Sequence, residues 1–225
     1  MPDMQTGELP KSLIQATVNI WGPGNYGTGF LCPAPFIDNL DTFFVVSNKH
    51  VLEGFNEKHV SIRLSQPPNE CYTSLRPLSN TVYSHPDENI DLACVIAYQN
   101  SSVPWEGLTP DYFSELPAII PNNSKLTTVG YPKCKGFASD PLIQPVHLAS
   151  DPNVDGEEAS DLYIRPMPKE GQSGSPVFIQ HSKRFFLLGV VYGHQKNNNV
   201  GVIIKQRYVS ELLDFTAERF KKEKN

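Results

Sequence analysis

The sequence predicts an all-β protein that ends in one α-helix, and three observations support this prediction. The 225 residues are enough for one large or two small hydrophobic cores. The 20 prolines and 15 glycines separate short runs rich in Val, Ile, Phe and Tyr, a pattern typical of many short strands joined by turns. Helical periodicity is scarce until residues 208–220, where apolar residues recur at helical spacing before a Lys-rich tail.

The strand-like runs fall into two halves of similar length. We predict an N-terminal β-rich half over 12–100, a polar, proline-containing connector over 101–116 and a second half over 117–207. A C-terminal helix is predicted over 208–222. No internal repeat or low-complexity tract is evident. A site that uses residues of both halves would lie in the cleft between them.

Two runs of the first half carry polar residues of chemical interest. The run 43–52, sequence FFVVSNKHVL, is apolar, β-branched and aromatic until a short polar step, which predicts that His50 lies at a strand end. The run 90–97, sequence IDLACVIA, places Asp91 at the entry to another strand. Burial of a carboxylate there is costly unless it is hydrogen-bonded or paired, so we expect Asp91 to have a partner.

The second half contains the segment 171–176, sequence GQSGSP, just before the apolar run 177–179. Glycines permit backbone angles that other residues resist, so successive N–H groups can point at one spot beside the Ser173 hydroxyl. Such a spot would be an oxyanion hole. A Gly/Ser/Pro cluster is also what an ordinary turn looks like, so the interpretation depends on finding an imidazole and a carboxylate elsewhere in the chain.

The segments 47–51 (SNKHV), 91–93 (DLA) and 171–176 (GQSGSP), in this order, resemble the catalytic segments of trypsin-like, chymotrypsin-fold serine peptidases. The segment 25–31 (NYGTGFL) resembles the Gly-rich entry to the strand before the histidine, and 128–132 (TVGYP) resembles a strand end of the second half. The resemblance extends from about residue 12 to the C-terminus and is nearest to the intracellular and bacterial branch of the family. It implies two antiparallel β-barrels with a C-terminal helix packed on a barrel.

The resemblance also implies a reaction and a role for each residue. Ser173 would attack a peptide carbonyl, His50 would act as general base and then as general acid, and Asp91 would orient the imidazole. The N–H groups of Gly171 and Ser173 would form the oxyanion hole. The acyl-enzyme would then be hydrolysed by water, and this chemistry needs neither a cofactor nor a metal.

Substrate contacts are implied on the same basis. Val191, Tyr192 and Gly193 would belong to the strand that pairs with the substrate backbone by β-augmentation. Met167 and Gly201 would lie near the base of the pocket for the residue that precedes the cleaved bond. Since no acidic residue falls clearly at that base, we expect a preference for uncharged or apolar side chains over Lys or Arg.

Each assignment has a competitor in the sequence. His59 follows a charged stretch and His85 precedes a proline in a polar loop, so both histidines are expected at the surface. Asp87 lies in the same polar loop and is expected to be solvated. Ser175 is an alternative nucleophile, but only Ser173 has a glycine two residues before it and another directly after it.

Two further alternatives concern fold and function class. An α/β-hydrolase elbow reads Gly-x-Ser-x-Gly and its acid and histidine follow the serine, whereas here the fifth position is Ser175 and the acid would come last. A catalytically silent or partner-activated module of the trypsin-like fold would bind a peptide without cutting it. The presence of all three catalytic groups argues against the silent module.

Regulation by N-terminal cleavage is not expected. Gln172 stands where secreted members of the family carry an aspartate that pairs with a newly cut N-terminal amine. The resemblance therefore implies an enzyme that is not switched on by that route, and we hypothesise narrow specificity or an activating protein partner.

Composition indicates which metal sites, disulfides and cellular location to expect. The four cysteines, at positions 32, 71, 94 and 134, form no Cys-x-x-Cys pair, which disfavours a zinc site, and none closely follows His50 to form the disulfide common in secreted relatives. The acidic stretch 149–160 lacks the ligand spacing of a calcium loop. No signal-like N-terminus or segment of roughly 18 apolar residues is present, so we expect a cytoplasmic protein without membrane contact.

Charge is informative about partners. The net charge is -5, from 19 basic and 24 acidic residues, which gives no electrostatic case for nucleic-acid binding. The family resemblance implies a protein or peptide substrate as partner, and regulation would involve the activating protein hypothesised above.

Overall fold

The computed structural model shows two antiparallel β-sheets, one from each half of the chain, followed by a long helix. It describes residues 8–22, 25–34, 42–53, 61–64, 73–74, 76–77, 81–98, 107–113, 116, 120, 124–133, 141–149, 161–195 and 199–224.

The first half forms a sheet of eight described strands in the order β5-β4-β1-β2-β3-β8-β6, with β7 paired to β8. Its end strands β5 and β6 are separated by a single residue in the chain, so the sheet must curl until these edges approach each other. The elements are α1 (Lys11–Gln15), β1 (Thr17–Gly22), β2 (Asn25–Pro33), β3 (Thr42–Ser47), α2 (Lys49–Leu52), β4 (Ser61–Leu64), β5 (Thr73–Ser74), β6 (Arg76–Pro77), β7 (Tyr83–Ser84) and β8 (Ala93–Tyr98).

The second half forms a closed barrel in the order β10-β11-β14-β13-β12-β9. A 3-10 turn at Pro110–Phe113 precedes it, within the predicted connector. The strands are β9 (Lys125–Gly130), β10 (Leu142–Leu148), β11 (Asp161–Arg165), β12 (Pro176–His181), β13 (Arg184–Gln195) and β14 (Val200–Lys205). The predicted all-β architecture with a C-terminal helix is confirmed.

A shared hydrophobic core holds the two halves together. Its buried residues include Phe30 of the first sheet, Val129 and Phe178 of the barrel, and Leu212 of the C-terminal helix. Two further cores lie within the individual sheets, one around Val45 and one within the barrel. Because burial of each such side chain contributes about 1.5–3 kcal/mol, the common core fixes the orientation in which the two halves meet.

The C-terminal helix α3 spans Gln206–Lys224, two residues longer at each end than the predicted 208–222. Its buried face consists of Val209, Leu212, Thr216 and Phe220, which recur at helical spacing. The early start has a tertiary cause, since the Gln206 amide donates to the carbonyl of residue 113 at 3.1 Å. No helix among the described residues is long and apolar enough to cross a bilayer.

The expectation that His85 lies at the surface is wrong. Its side chain is only 1% exposed, and its Nε2 atom lies 3.4 Å from Glu211 Oε2 of α3. The His85 Nδ1 atom accepts the backbone N–H of Asp87, and the ring packs edge-on against Tyr208. The C-terminal helix thus covers a histidine whose local sequence is polar, a contact that no local pattern reports.

Other expectations fall outside the described residues or concern the surface. Asp87 is exposed, as expected, and accepts hydrogen bonds from Asn89 within its own turn. His59, the cysteines at 71 and 134 and the acidic residues 150–160 lie outside the described residues. Within the described part of the chain, no group of three or more His, Cys, Asp or Glu side chains could hold a metal ion.

Two glycines of β13 provide a test of barrel packing. A Cβ atom at Gly189 would come within 2.2 Å of the Ile204 carbonyl oxygen, whereas one at Gly193 would meet no heavy atom within 4 Å. We expect Gly189→Ala to lower the free energy of unfolding by roughly 1–3 kcal/mol, the usual cost of overpacking, with a much smaller change for Gly193→Ala. Urea denaturation measures both, and equal losses would contradict this packing.

Candidate active site

The pairing of β3 with β8 brings His50 and Asp91 together. Strand β3 ends at Ser47, which lies opposite Ala93 of β8, so the turn after β3 and the residues before β8 meet at one edge. The His50 Nδ1 atom lies 2.6 Å from Asp91 Oδ2, and the His50 backbone N–H donates to Asp91 Oδ1 at 3.1 Å. Both carboxylate oxygens therefore orient the same histidine, and Asp91 has the partner that its sequence position predicted.

Asn48 lies two residues before His50 in the same turn and holds the backbone of Asp91. No role was assigned to this residue from the sequence. Asn48 is fully buried, and its side-chain amide donates to the Asp91 carbonyl at 2.9 Å. The Lys49 backbone N–H donates to the same carbonyl at 3.4 Å. The only local signal was a polar residue at the end of a buried strand.

The carboxylate also sets the electrostatics of the imidazole. The hydrogen bond between the imidazole and Asp91 raises the pKa of His50. Partial burial opposes this rise, whereas the negative charges of Asp91 and Glu53 increase it. In the neutral imidazole the proton is held on Nδ1 by the carboxylate, which leaves Nε2 as the basic nitrogen. The His50 side chain is 48% exposed, so the imidazole is accessible from solvent.

Ser173 lies in the turn that leads into β12, and glycine is required on its C-terminal side. Gly174 has φ +87°, and a Cβ atom there would come within 1.8 Å of the Thr28 carbonyl oxygen and 2.3 Å of Ser47 Oγ. Because Ser47 precedes His50 by three residues, this close approach places Ser173 beside the turn that carries the imidazole. The structure therefore brings all three predicted residues to one junction between the halves.

Thr28 of β2 is the residue that ties the serine segment to the first sheet, and sequence reasoning missed it. Its backbone N–H donates to the Ser173 carbonyl at 2.8 Å, and its Oγ1 donates to the Gly171 carbonyl at 3.0 Å. The same Oγ1 accepts the Tyr131 N–H at 2.8 Å, while Ser47 Oγ donates to the Thr28 carbonyl at 2.6 Å. The sequence signal was a threonine within a Gly-rich, apolar strand.

The backbone N–H groups of the serine segment are of two kinds. Those of Gln172, Gly174 and Ser175 each donate to a protein carbonyl, at 3.1, 2.7 and 2.9 Å respectively. Those of Gly171 and Ser173 have no acceptor among the described residues. The two donors predicted for an oxyanion hole are therefore the two that remain available to a ligand.

The direction of the Gly171 N–H follows from the peptide before it. The Glu170 carbonyl accepts the Lys133 N–H at 2.7 Å. In a trans peptide the carbonyl and the following N–H point to opposite sides, so the Gly171 N–H is directed away from Lys133. Gly171 itself has φ +93°, and a Cβ atom would come within 2.6 Å of the Lys133 nitrogen, so only glycine fits.

The two serines of the segment differ in access. Ser175 is fully buried, and its hydroxyl has no partner among the described residues. Ser173 is partly exposed, which favours it over Ser175 as a nucleophile. Among the described residues, neither Ser173 Oγ nor His50 Nε2 has a hydrogen-bond partner, so the serine hydroxyl and the imidazole are not hydrogen-bonded to each other.

Val191, one of the residues expected to contact substrate, is bonded to the serine segment through its backbone. Its N–H donates to the Ser175 carbonyl at 2.9 Å, and its carbonyl accepts the Gly174 N–H at 2.7 Å. The strand register shifts between Val191 and Gly193, so Tyr192 occupies a bulge. Val191 is therefore already bonded through both backbone groups, and pairing of Tyr192 and Gly193 with a substrate backbone stays a prediction.

Tyr192 also lies within electrostatic range of the His50–Asp91 pair. Its hydroxyl donates to Asp161 Oδ2 at 3.2 Å. Burial raises the pKa of Tyr192 to about 12, and the negative charges of Asp161 and Asp91 contribute. The tyrosine is thus a neutral hydrogen-bond donor beside two carboxylates.

The two residues expected at the pocket base, Met167 and Gly201, are brought together through Pro168. A Cβ atom at Gly201 would come within 2.2 Å of Pro168 Cδ and 3.0 Å of Ile164 Cγ1. The space beside Gly201 is therefore filled by the proline that follows Met167.

Comparison with known proteins identifies solved structures that share this fold. No family model and no curated protein sequence matches the chain. Among solved structures, an inactive form of Rv3671c from M. tuberculosis H37Rv, a serine-to-alanine mutant, has TM-score 0.61 and 19% identity, covering 95% of this chain and 93% of that one. The Rv3671c protease, also in an inactive form, has TM-score 0.58 and 19% identity, covering 91% and 90%. Similarity at this level demonstrates a shared fold.

The His50–Asp91 contact predicts a titration that requires no assay of activity. We expect NMR to give His50 a pKa above the ordinary value, and Asp91→Asn to lower it, because the neutral amide no longer stabilises the imidazolium. Since the folded-state pKa is raised, the pair stabilises the fold fully below the unfolded-state pKa, and this contribution is lost as pH rises through the folded-state pKa. Asp87→Asn is the matched control and should leave His50 unchanged; an equal shift in both variants would refute the contact.

Proposed function

Because the chain has the double-barrel fold of trypsin-like proteases, we propose that it is a serine endopeptidase that hydrolyses peptide bonds through an acyl-enzyme intermediate. Ser173 Oγ is the nucleophile, His50 the general base and then the general acid, and Asp91 the group that orients His50 and stabilises its cation. The observation that carries the proposal is the coincidence of an oriented His–Asp pair with a partly exposed serine and two backbone donors that have no acceptor among the described residues.

The first step is attack on the substrate carbonyl. His50 Nε2 takes the proton of Ser173 Oγ as the oxygen bonds to carbon, which requires the hydroxyl to close onto the imidazole when substrate binds. The negative oxygen that develops is stabilised by the N–H groups of Gly171 and Ser173, a type of donor typically worth about 2.7–4 kcal/mol in the transition state. The imidazolium then protonates the leaving amine.

The second step regenerates the enzyme. Water attacks the acyl-enzyme carbonyl, His50 accepts a water proton, and the same two N–H groups again hold the oxyanion. The proton then returns from His50 to Ser173 as the carboxylic acid product leaves. Every proton stays among substrate, water and the three side chains, so no cofactor takes part.

A cytoplasmic setting belongs to the same proposal. Cys32 and Cys94 are both buried and free, in keeping with a reducing compartment. Burial raises the pKa of Cys94 to about 12, so this thiol is a small hydrophobic core residue rather than a nucleophile.

The unformed bond between Ser173 and His50 favours one alternative, a trypsin-like module that is silent or is activated by a protein partner. In such a module a partner would have to close the serine onto the imidazole. The Gly171 and Ser173 donors, which have no acceptor among the residues that the structure describes, argue for the active enzyme instead, because a module that only binds peptides does not need two such N–H groups beside a serine.

Labelling by a fluorophosphonate probe tests the proposal. The wild-type protein should be labelled at Ser173, and Ser173→Ala should abolish labelling while His50→Ala lowers turnover of a peptide substrate by about 10⁴-fold or more. Ser175→Ala is the matched control and should retain labelling. A folded wild type that resists the probe would favour the silent or partner-activated module.

The proposal extends to specificity, since the family resemblance assigns Met167 and Gly201 to the base of the pocket for the residue before the cleaved bond. Pro168 fills the space beside Gly201, which supports an expectation of cleavage after small, uncharged or apolar residues. A peptide-library profile of the wild type, with Ser173→Ala as blank, measures this preference. A profile dominated by Lys or Arg would contradict it.

A further inference from the structure

Three side chains form a cluster beside the serine segment that the mechanism above does not use. Tyr26 belongs to β2, Lys133 follows β9, and Glu170 directly precedes Gly171. The Tyr26 hydroxyl donates to Glu170 Oε1, and Lys133 Nζ lies 3.2 Å from the same oxygen. The Lys133 ammonium also lies 4.5 Å from the centre of the Tyr26 ring. We call these three residues the Glu170 clamp.

The clamp holds the same peptide whose orientation exposes the Gly171 donor. The Lys133 backbone N–H binds the Glu170 carbonyl at 2.7 Å, and the Lys133 side chain binds the Glu170 carboxylate. Glu170 is thus fixed at both its backbone and its side chain. A rotation of the Glu170–Gly171 peptide, which would turn the Gly171 N–H away from the site, must break the first of these contacts and strain the second.

The clamp also crosses the junction between the halves. Tyr26 lies two residues before Thr28, which binds the carbonyls of Gly171 and Ser173. One strand of the first sheet therefore contacts three of the four residues from 170 to 173. Burial and the Glu170 carboxylate raise the pKa of Tyr26, so its hydroxyl remains a donor at neutral pH.

We propose that Glu170, held by Tyr26 and Lys133, is a positioning residue that keeps the Gly171 N–H directed into the oxyanion hole. This inference rests on the proposed function, since it concerns how well the N–H groups of that site stabilise an oxyanion. The Glu170 and Lys133 side chains are 71% and 55% exposed, and exposed ion pairs contribute little to global stability. The effect of the clamp therefore belongs to the rate of reaction rather than to the melting temperature.

The chain offers a matched control with the same chemistry. Tyr83 donates to Glu223 Oε2 at 3.0 Å, Arg219 Nε lies 3.0 Å from the other oxygen of Glu223, and the Arg219 guanidinium lies 5.7 Å from the Tyr83 ring centre. This second tyrosine–glutamate–cation cluster joins β7 to the last turn of α3. Removal of its tyrosine hydroxyl reports what the loss of such a bond does away from the serine segment.

The test uses the kinetics of fluorophosphonate labelling, which separate probe binding (KI) from reaction at phosphorus (kinact). We expect Tyr26→Phe and Glu170→Gln each to lower kinact by about tenfold with KI unchanged, less than the roughly 10²–10³-fold loss on outright removal of a donor. The double variant should be no slower than the slower single variant, because both remove one shared interaction. Tyr83→Phe should leave kinact at the wild-type value.

Two outcomes would overturn the inference while the proposed function stands. If the wild type is labelled at Ser173 and both clamp variants react at the wild-type rate, the clamp does not position the donor. If the clamp variants change KI instead of kinact, Glu170 contacts the probe directly. A wild type that is not labelled at all overturns the proposed function and this inference with it.

Discussion

The site depends on one contact, the docking of the serine segment onto Thr28 of the first sheet. Thr28 binds the carbonyls of Gly171 and Ser173, and Gly174 lies so close to Thr28 and Ser47 that no side chain fits between them. Thr28 is fully buried, and a carbonyl left unsatisfied at a buried position costs about 1–3 kcal/mol, so local separation of the two halves is penalised. The geometry of the reacting groups is therefore a property of the interface between the halves.

The two parts of the site are built differently. His50 lies in α2, directly after β3, and Asp91 lies two residues before β8, so their contact follows from the pairing of Ser47 with Ala93 in neighbouring strands of one sheet. Ser173 comes from the barrel and reaches them only because the shared core sets the position of the barrel against the first sheet. The first part is a consequence of strand register, the second of packing between sheets.

Gln172 shows how the serine segment is held without a charged pair. Its side chain is fully buried, and its Oε1 accepts the Lys169 N–H at 2.6 Å. Neutral hydrogen bonds of Gln172 and Thr28 thus hold the serine segment, and neither places a desolvated charge in the interior.

The sequence by itself determined the β-rich architecture, the C-terminal helix and the identity of His50, Asp91 and Ser173 as candidates, because strand periodicity, glycine spacing and motif order are local properties. Only the tertiary structure decided that Thr28 and Asn48 support these residues, that α3 buries His85, and that the Gly171 and Ser173 N–H groups have no acceptor within the described part of the chain. Each of these depends on residues far apart in the chain. Hydrogen-bond partners across a junction are set by how the two halves pack, and no local pattern encodes that.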